Sequence, residues 1–470
     1  MSENFEALRF LQDEIDRFAK MGPPELQALS LQDRFSTIPD SEGHGSIICG
    51  AAAFLRLRTA AELAISRASL SGRISVDNFF DILIDNIVER FLRHRLPINQ
   101  SSADKLFSDS LKSAAKALRS TTHFIPCLIS DDKGPTEFNI GKIRFRPCQA
   151  CLHELLPLFE EYQSEIHATD GNNDILLDDT IKYYKTFDWI AELTIDKADA
   201  TASRKIAADT VELALNFLHM LLGATYSQHI RARGPSPSVE NRGHFAVCDG
   251  KICDVEINRS WQDRSLGEGW WQHLNQIGAA AVLPIIGKVV DNSLTLTPAP
   301  LARRLIDAAH WYGDASREKF PASQMVKFVI AMERILTTAN EKDLTRTFCD
   351  RGSALTTFPH RDHRSDERRR FAIVYNARSR FVHGSSSPSD KRYLVLLAEA
   401  EELSRAVLWS ALYFFNQDDR IVDSSVTEKR LGKGFDSLVK LFEPAAKQRS
   451  LFGTLGNVCK RWVFRTERNY

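Results

Sequence analysis

Apolar residues recur along this chain with two different periods, and the places where one gives way to the other divide it. Through residues 1–120 the period is helical. Phe5, Leu8, Leu11, Ile15 and Phe18 share one face, and Phe79, Ile82, Leu83, Ile87 and Phe91 share another that ends by Pro97. His94, within Arg93-His94-Arg95, reads as a solvated helix end. From His123 the pattern becomes that of strands, over 124–129 and over 138–145 with a turn near Gly141. A helix on Leu152, Leu155, Leu156 and Phe159 follows, then a strand over 189–195 and a long helix over 202–222 built on Ile206, Val211, Leu215 and Leu218. Gly234-Pro235-Ser236-Pro237-Ser238 predicts a loop or linker. The apolar run 245–257, broken by Asp249-Gly250, predicts a hairpin with a two-residue turn.

Pro298-Ala299-Pro300 separates this region from four further helical segments, over 301–312, 323–338, 365–383 and 394–415. The second presents Met325, Phe328, Val329, Met332 and Leu336 on one face. The fourth presents Leu396, Ala400, Leu403, Val407, Ala411 and Phe414. Such amphipathic stripes predict a helix bundle. The fold class is therefore mainly α with an α+β portion: an N-terminal helical region (1–120), a small β-containing middle region (121–297) and a C-terminal four-helix bundle with an extension (298–470).

The third of these helices breaks the apolar rule. Phe371, Val374, Tyr375, Arg378 and Val382 make one stripe, from the capping candidate Ser365 to the stop at Gly384. Arg378 thus lies among apolar neighbours, where a desolvated guanidinium needs a carboxylate or another anion for its donors. Glu333, at the apolar edge of the second helix, is the candidate partner. Five residues beyond Arg378 comes His383, displaced by about 140° and about 7.5 Å on a regular helix. A site using both needs the helix to loosen at Gly384 or needs completion from another direction.

Charge is balanced overall, with 61 basic and 61 acidic residues, so only local clustering bears on nucleic acid. Residues 342–392 hold twelve Lys/Arg against six Asp/Glu. Arg361, Arg364, Arg368, Arg369, Arg370, Arg378 and Arg380 dominate that window, and guanidinium forks suit phosphates. The start, Met1-Ser2-Glu3-Asn4-Phe5-Glu6, has no signal-peptide core, and no run of about 18 apolar residues occurs. The expectation is a cytoplasmic protein with no membrane partner and with its eight cysteines reduced.

Arg378-x-x-x-x-His383-Gly384 at a helix end, with Tyr375 before it and Met332-Glu333-Arg334-Ile335-Leu336 upstream, resembles the catalytic motif of HEPN domains, specifically the ApeA-like branch. The order of strand pair, helix, strand, long helix and hairpin ahead of it is also similar to the N-terminal half of ApeA-like proteins. The resemblance implies a HEPN four-helix bundle, paired as a homodimer so that two motifs face each other. It implies a metal-independent endoribonuclease, cutting tRNA or another RNA to a 2′,3′-cyclic phosphate and a 5′-OH, with no cofactor required. Arg378 and His383 take the two catalytic positions. Ser379, Asn376 and Glu333 would support them, and Arg368, Arg369, Arg370 and Arg380 would bind RNA. Proteins of this kind act in antiphage defence and abortive infection, which implies a phage or host trigger. The rival reading of the same bundle is a non-catalytic module that binds RNA or a nucleotide.

Cysteines supply a second candidate centre. Cys148 and Cys151 are separated by two residues, with His153 just beyond, and a two-residue turn would set Cys248 and Cys253 diagonally on one hairpin face. Those four thiolates are a candidate structural zinc site, and a metal-dependent enzyme centred on them is a further alternative. Buried apolar thiols are the competing role. Near the end, Lys460-Arg461-Trp462-Val463-Phe464-Arg465 combines charge with rings that stack on single-stranded nucleic acid or pack on the bundle.

Overall fold

The computed structural model describes residues 2–22, 24–25, 29, 35–39, 46–94, 96–167, 173–232, 240–248, 251–260, 266–339, 341–358 and 363–442. The chain is mainly helical with a small sheet region. It divides into two compact units, residues 1–123 with 193–208, and residues 124–192 with 209–470. The tract 460–465 lies outside the described residues, as does the loop 234–238.

In the first unit the helices are α1 (Glu3–Ala19), α2 (Ala51–Arg67), α3 (Val76–Ile87) and α4 (Gln100–Lys116), with a π-helical turn at Val88–Arg93. Local chemistry sets their starts. The Ser2 hydroxyl accepts the Phe5 N–H, Ser75 caps α3, and Asn99 with Ser102 forms a reciprocal capping box on α4. Leu8, Leu11, Leu57, Phe79, Leu83 and Phe107 pack into one core. A purely helical reading of this region misses β1 (Phe35–Pro39) and β2 (Ser46–Gly50), an antiparallel pair. Each strand is five residues long, too short for period-2 patterning to stand out. His94 closes the π-helical turn and bonds Glu89 at 2.8 Å, as a helix end in solvent would.

Sheet strands follow: β3 (Arg119–Leu128), β4 (Phe138–Ile140), β5 (Ile143–Pro147), β6 (Trp189–Ala198) and β7 (Arg231–Ala232), in the order β4-β5-β6-β3-β7. Gly141 makes the β4–β5 turn with φ +58°. Helices α5 (Cys148–His167), α6 (Asn173–Tyr184), α7 (Ala200–Leu222) and the one-turn α8 (Ala224–Ser227) alternate with these strands. β8 (Glu240–Cys248) and β9 (Lys251–Ser260) pair antiparallel as the expected separate hairpin.

The C-terminal helices are α9 (Trp270–Gln276), α10 (Ala279–Ser293), α11 (Pro300–Arg317), α12 (Pro321–Leu336), α13 (Leu344–Thr357), α14 (Arg364–Val382), α15 (Arg392–Asn416) and α16 (Glu428–Lys440). Pro opens α11 and α12 at the position where its missing N–H costs nothing. The expectation of four helical segments after residue 298 omits α13 and α16, and the sequence pattern predicts no element over 270–293, where α9 and α10 lie. In α13 polar Thr, Arg and Ser residues dilute the stripe, although Phe348, Cys349 and Leu355 are buried. α12 packs on α11 and α15, and the motif helix α14 lies chiefly on α13. Among the described residues no single helix is long and apolar enough to cross a membrane.

Candidate active site

α14 is held close to α13 by the absence of a side chain. A Cβ on Gly352 would come within 2.6 Å of the Phe371 ring, so only glycine admits that ring. Phe348 then packs edge-on to Phe371 with centroids 5.6 Å apart, and tilted on Tyr375 at 4.7 Å. Phe371, Val374 and Tyr375 are buried as expected, and this seating turns Arg378 inward. Val382 does not follow them. It is 52 % exposed, at the last residue of the helix. The start also differs: His363 is the residue before the first turn, and Ser365 lies inside the helix without capping it.

Arg378 meets Glu333, its Nη2 donating to Oε2 at 3.1 Å, with side chains 24 % and 19 % exposed. Its Cζ lies 6.0 Å from the Tyr375 ring centroid, and the Tyr375 hydroxyl faces the same carboxylate. Burial pushes the Glu333 carboxyl above the usual carboxylate range, outweighing the opposing pull of Arg378 and the Tyr375 hydroxyl. Burial, and then Glu333, raise the Tyr375 phenol. The buried Nε of Arg378 has no hydrogen-bond partner among the described residues.

Glu333 is itself firmly placed. The end of its helix is capped by two buried arginines, which the sequence pattern did not reveal. Arg304 Nη1 donates to the Arg334 and Thr337 carbonyls, at 2.7 Å each, and Arg351 Nη1 donates to the Leu336 carbonyl at 2.9 Å. Cations at a helix C-terminus satisfy open carbonyls and oppose the helix dipole.

At the other end of the motif the helix stops in a two-bond cap. The Gly384 N–H donates to the Phe381 carbonyl at 3.0 Å, and the Ser385 N–H donates to the Arg380 carbonyl at 2.8 Å. Gly384 has φ +70°, the left-handed conformation this cap requires. His383 sits at the turn, its N–H donating to the Ser379 carbonyl at 3.0 Å, and its imidazole is exposed with no hydrogen bond among the described residues. Ser379 is half-buried and Asn376 exposed. The structure therefore joins Arg378, Glu333 and Tyr375 into one cluster and leaves His383 one turn further on, facing solvent.

The expected RNA-binding arginines separate into two kinds. Arg368 Nε pairs with Asp350 at 2.6 Å, and Arg370 is enclosed by Glu399, Glu367 at 2.8 Å and Glu402 at 3.0 Å. Arg370 is thus a cross-brace between α14 and α15, with its donors committed. Arg369 and Arg380 are exposed and make no ion pair among the described residues. Sequence counting cannot separate these cases, because the carboxylates that make the difference, Asp350, Glu399 and Glu402, come from other helices.

Cys148 and Cys151 open α5 and are buried beside Leu152 and Ile190. The Cys148 Sγ donates to the Tyr184 carbonyl at 3.2 Å, and burial pushes its thiol up to about 11. Such thiols behave as small apolar groups. Among the described residues no group of three or more His, Cys, Asp or Glu could hold a metal ion. In the hairpin Cys248 stands opposite Lys251 and Cys253 falls at a bulge facing Ala246 and Val247, a register other than the regular one expected; their side chains lie outside the described residues.

No family model, curated protein or solved structure matches the chain.

Proposed function

We propose that the chain is a metal-independent endoribonuclease of the ApeA-like HEPN type, cutting RNA with Arg378 and His383 at a site shared by two copies. The observation that carries this reading is the Glu333–Arg378–Tyr375 cluster, with a solvent-facing His383 one turn further along the same helix. Glu333 engages one Nη2 donor at 3.1 Å, which anchors the guanidinium and leaves further Nη donors for a phosphate. RNA carries its own nucleophile. When a 2′-OH attacks the adjacent phosphorus, the P–O bond to the 5′ oxygen breaks, leaving a 2′,3′-cyclic phosphate and a 5′-OH. The protein's tasks are proton transfer and charge stabilisation. His383 would take or return the proton, and Arg378 would stabilise the charge on the phosphoryl oxygens.

A second copy supplies what one chain lacks. The His383 imidazole has no orienting partner among the described residues, and exposed apolar side chains lie before and after its turn along the chain. Phe381 packs edge-on to Tyr393 at 5.7 Å, which ties the start of α15 to the end of the motif helix. Val382, Leu394 and Val395 there are 52 %, 61 % and 76 % exposed. By the same resemblance the activity would serve antiphage defence. Incubating purified protein with total cellular RNA, with and without EDTA, tests the reading. Cleavage to cyclic-phosphate ends in both arms supports it, and intact RNA with retained binding favours a non-catalytic module.

A further inference from the structure

The second unit carries another cleft, built between the loop after β3 and the helices α5 and α6, with a volume of about 840 Å³. Small-molecule sites commonly occupy roughly 300–1,000 Å³. Leu152, Leu156, Phe159, Ile181, Phe187 and Trp189 give it an apolar floor, and Lys133, Lys185, His153, Gln149 and Thr136 stand around it. Its shape rests on close packing. A Cβ on Gly134 would lie 3.1 Å from the Trp270 ring and 3.4 Å from the Trp189 ring, so the loop is laid flat against two indoles. The Trp189 Nε1 also donates to the Ser130 carbonyl at 3.1 Å.

The charges in the cleft are unequally committed. The Asp132 carboxylate accepts the Leu266 and Gly267 N–H groups at 2.7 and 2.9 Å, and the Asp188 carboxylate accepts the Ile129 N–H at 2.8 Å. These two acids hold backbone in place, and Asp131 is the exposed acid that remains. Lys133 and Lys185 are both exposed and appear in no ion pair among the described residues. Two uncommitted ammonium groups, from the loop and from the end of α6, thus flank a floor that includes flat rings. Lysines in such a place suit a phosphate as point charges. Gln149 and Thr136 offer a donor and acceptors of the kind that read a heterocycle edge, which an acyl chain would leave unused.

We propose that this cleft binds a small phosphorylated ligand with a flat ring system, the chemistry of a nucleoside monophosphate, with the ring on the Leu156–Phe159 floor and the phosphate on Lys133 and Lys185. The proposal is independent of the ribonuclease reading. Its test is equilibrium dialysis of the full chain against the four labelled ribonucleoside 5′-monophosphates, with the matching nucleosides, inorganic phosphate and octanoate as separate arms. At least one monophosphate binds saturably, and its nucleoside and inorganic phosphate each bind about 10- to 100-fold more weakly, as expected on losing one half of the contacts. Lys133→Glu and Lys185→Glu each reduce that binding by about 10-fold or more. Leu156→Glu, at a floor position exposed enough to tolerate the change, does the same, with circular dichroism unchanged in all three. Absence of saturable monophosphate binding, binding that survives the double lysine reversal, or preference for octanoate would each overturn the assignment.

Discussion

The pairing of Glu333 with Arg378 has an energetic signature that can be separated from its chemical role. Both side chains are about three-quarters buried or more, 24 % and 19 % exposed, with one hydrogen bond of 3.1 Å between them. Exposed ion pairs contribute about 0.2–1 kcal/mol, whereas removing one member of a fully buried pair costs about 3–5 kcal/mol. This pair lies between those limits. Glu333→Gln and Arg378→Met should each destabilise the fold by about 2 kcal/mol, the second by leaving a half-desolvated carboxylate without its cation. Their combination should cost less than the sum, with a coupling of about 1–2 kcal/mol. The chain offers a selective reporter, because all seven tryptophans fall within residues 124–192 and 209–470. Urea unfolding followed by tryptophan fluorescence therefore reads the unit that holds the pair. Additivity within about 0.3 kcal/mol would refute the reasoning, since residues in contact through one charged bond do not behave independently.

Three other outcomes follow from the same geometry. Arg369→Ala should weaken RNA binding and flatten its salt dependence by about one phosphate contact, whereas Arg370→Ala should lower stability with little change in that slope; filter binding over a salt series and urea unfolding separate the two. Gly384→Val should cost about 1–2 kcal/mol of stability and slow cleavage, because nothing crowds a Cβ there and the penalty is the left-handed backbone that presents His383. His219 is fully buried, and desolvation with the Arg317 cation brings its pKa down to about 3. A histidine lowered in the folded state is protonated first in the unfolded chain, so stability falls as pH drops below about 6.5, by up to about 1.4 kcal/mol per unit. Urea midpoints taken between about pH 6.5 and about pH 5 should show that slope in the parent and a shallower one in His219→Gln, where the contribution of His310, also lowered by burial, remains.

Much of this architecture is visible to periodicity alone. The strands at 124–129, 138–145 and 189–195, the long helix ending at Leu222 and the motif helix all recur within a few residues of expectation. They are long, or bounded by Gly and Pro, where patterning is strongest. What escaped had weak local signals. β1 and β2 are short, and α13 is buried through Gly352, Ser353 and Arg351 as much as through apolar residues. At the site, an arginine on an apolar stripe was itself the signal, and it pointed to a carboxylate. The same signal was absent for Arg304 and Arg351, whose buried caps on α12 join residues at least 15 positions apart. Nor does sequence separate Arg369 from Arg370, since their difference is made by Glu399 and Glu402 on α15.

Single-turnover cutting of a labelled RNA by the parent, His383→Ala, Arg378→Ala and Arg378→Lys decides whether Arg378 and His383 perform RNA cleavage. Loss of a positioned proton-transfer group costs about 10²–10⁴ in rate, so His383→Ala should fall by that factor with its circular dichroism intact. Arg378→Ala should fall comparably. Arg378→Lys should also be poor, because a point charge does not replace a planar fork held by Glu333. A folded His383→Ala protein that cuts at the parent rate would contradict the account and leave the cluster as a structural or binding feature.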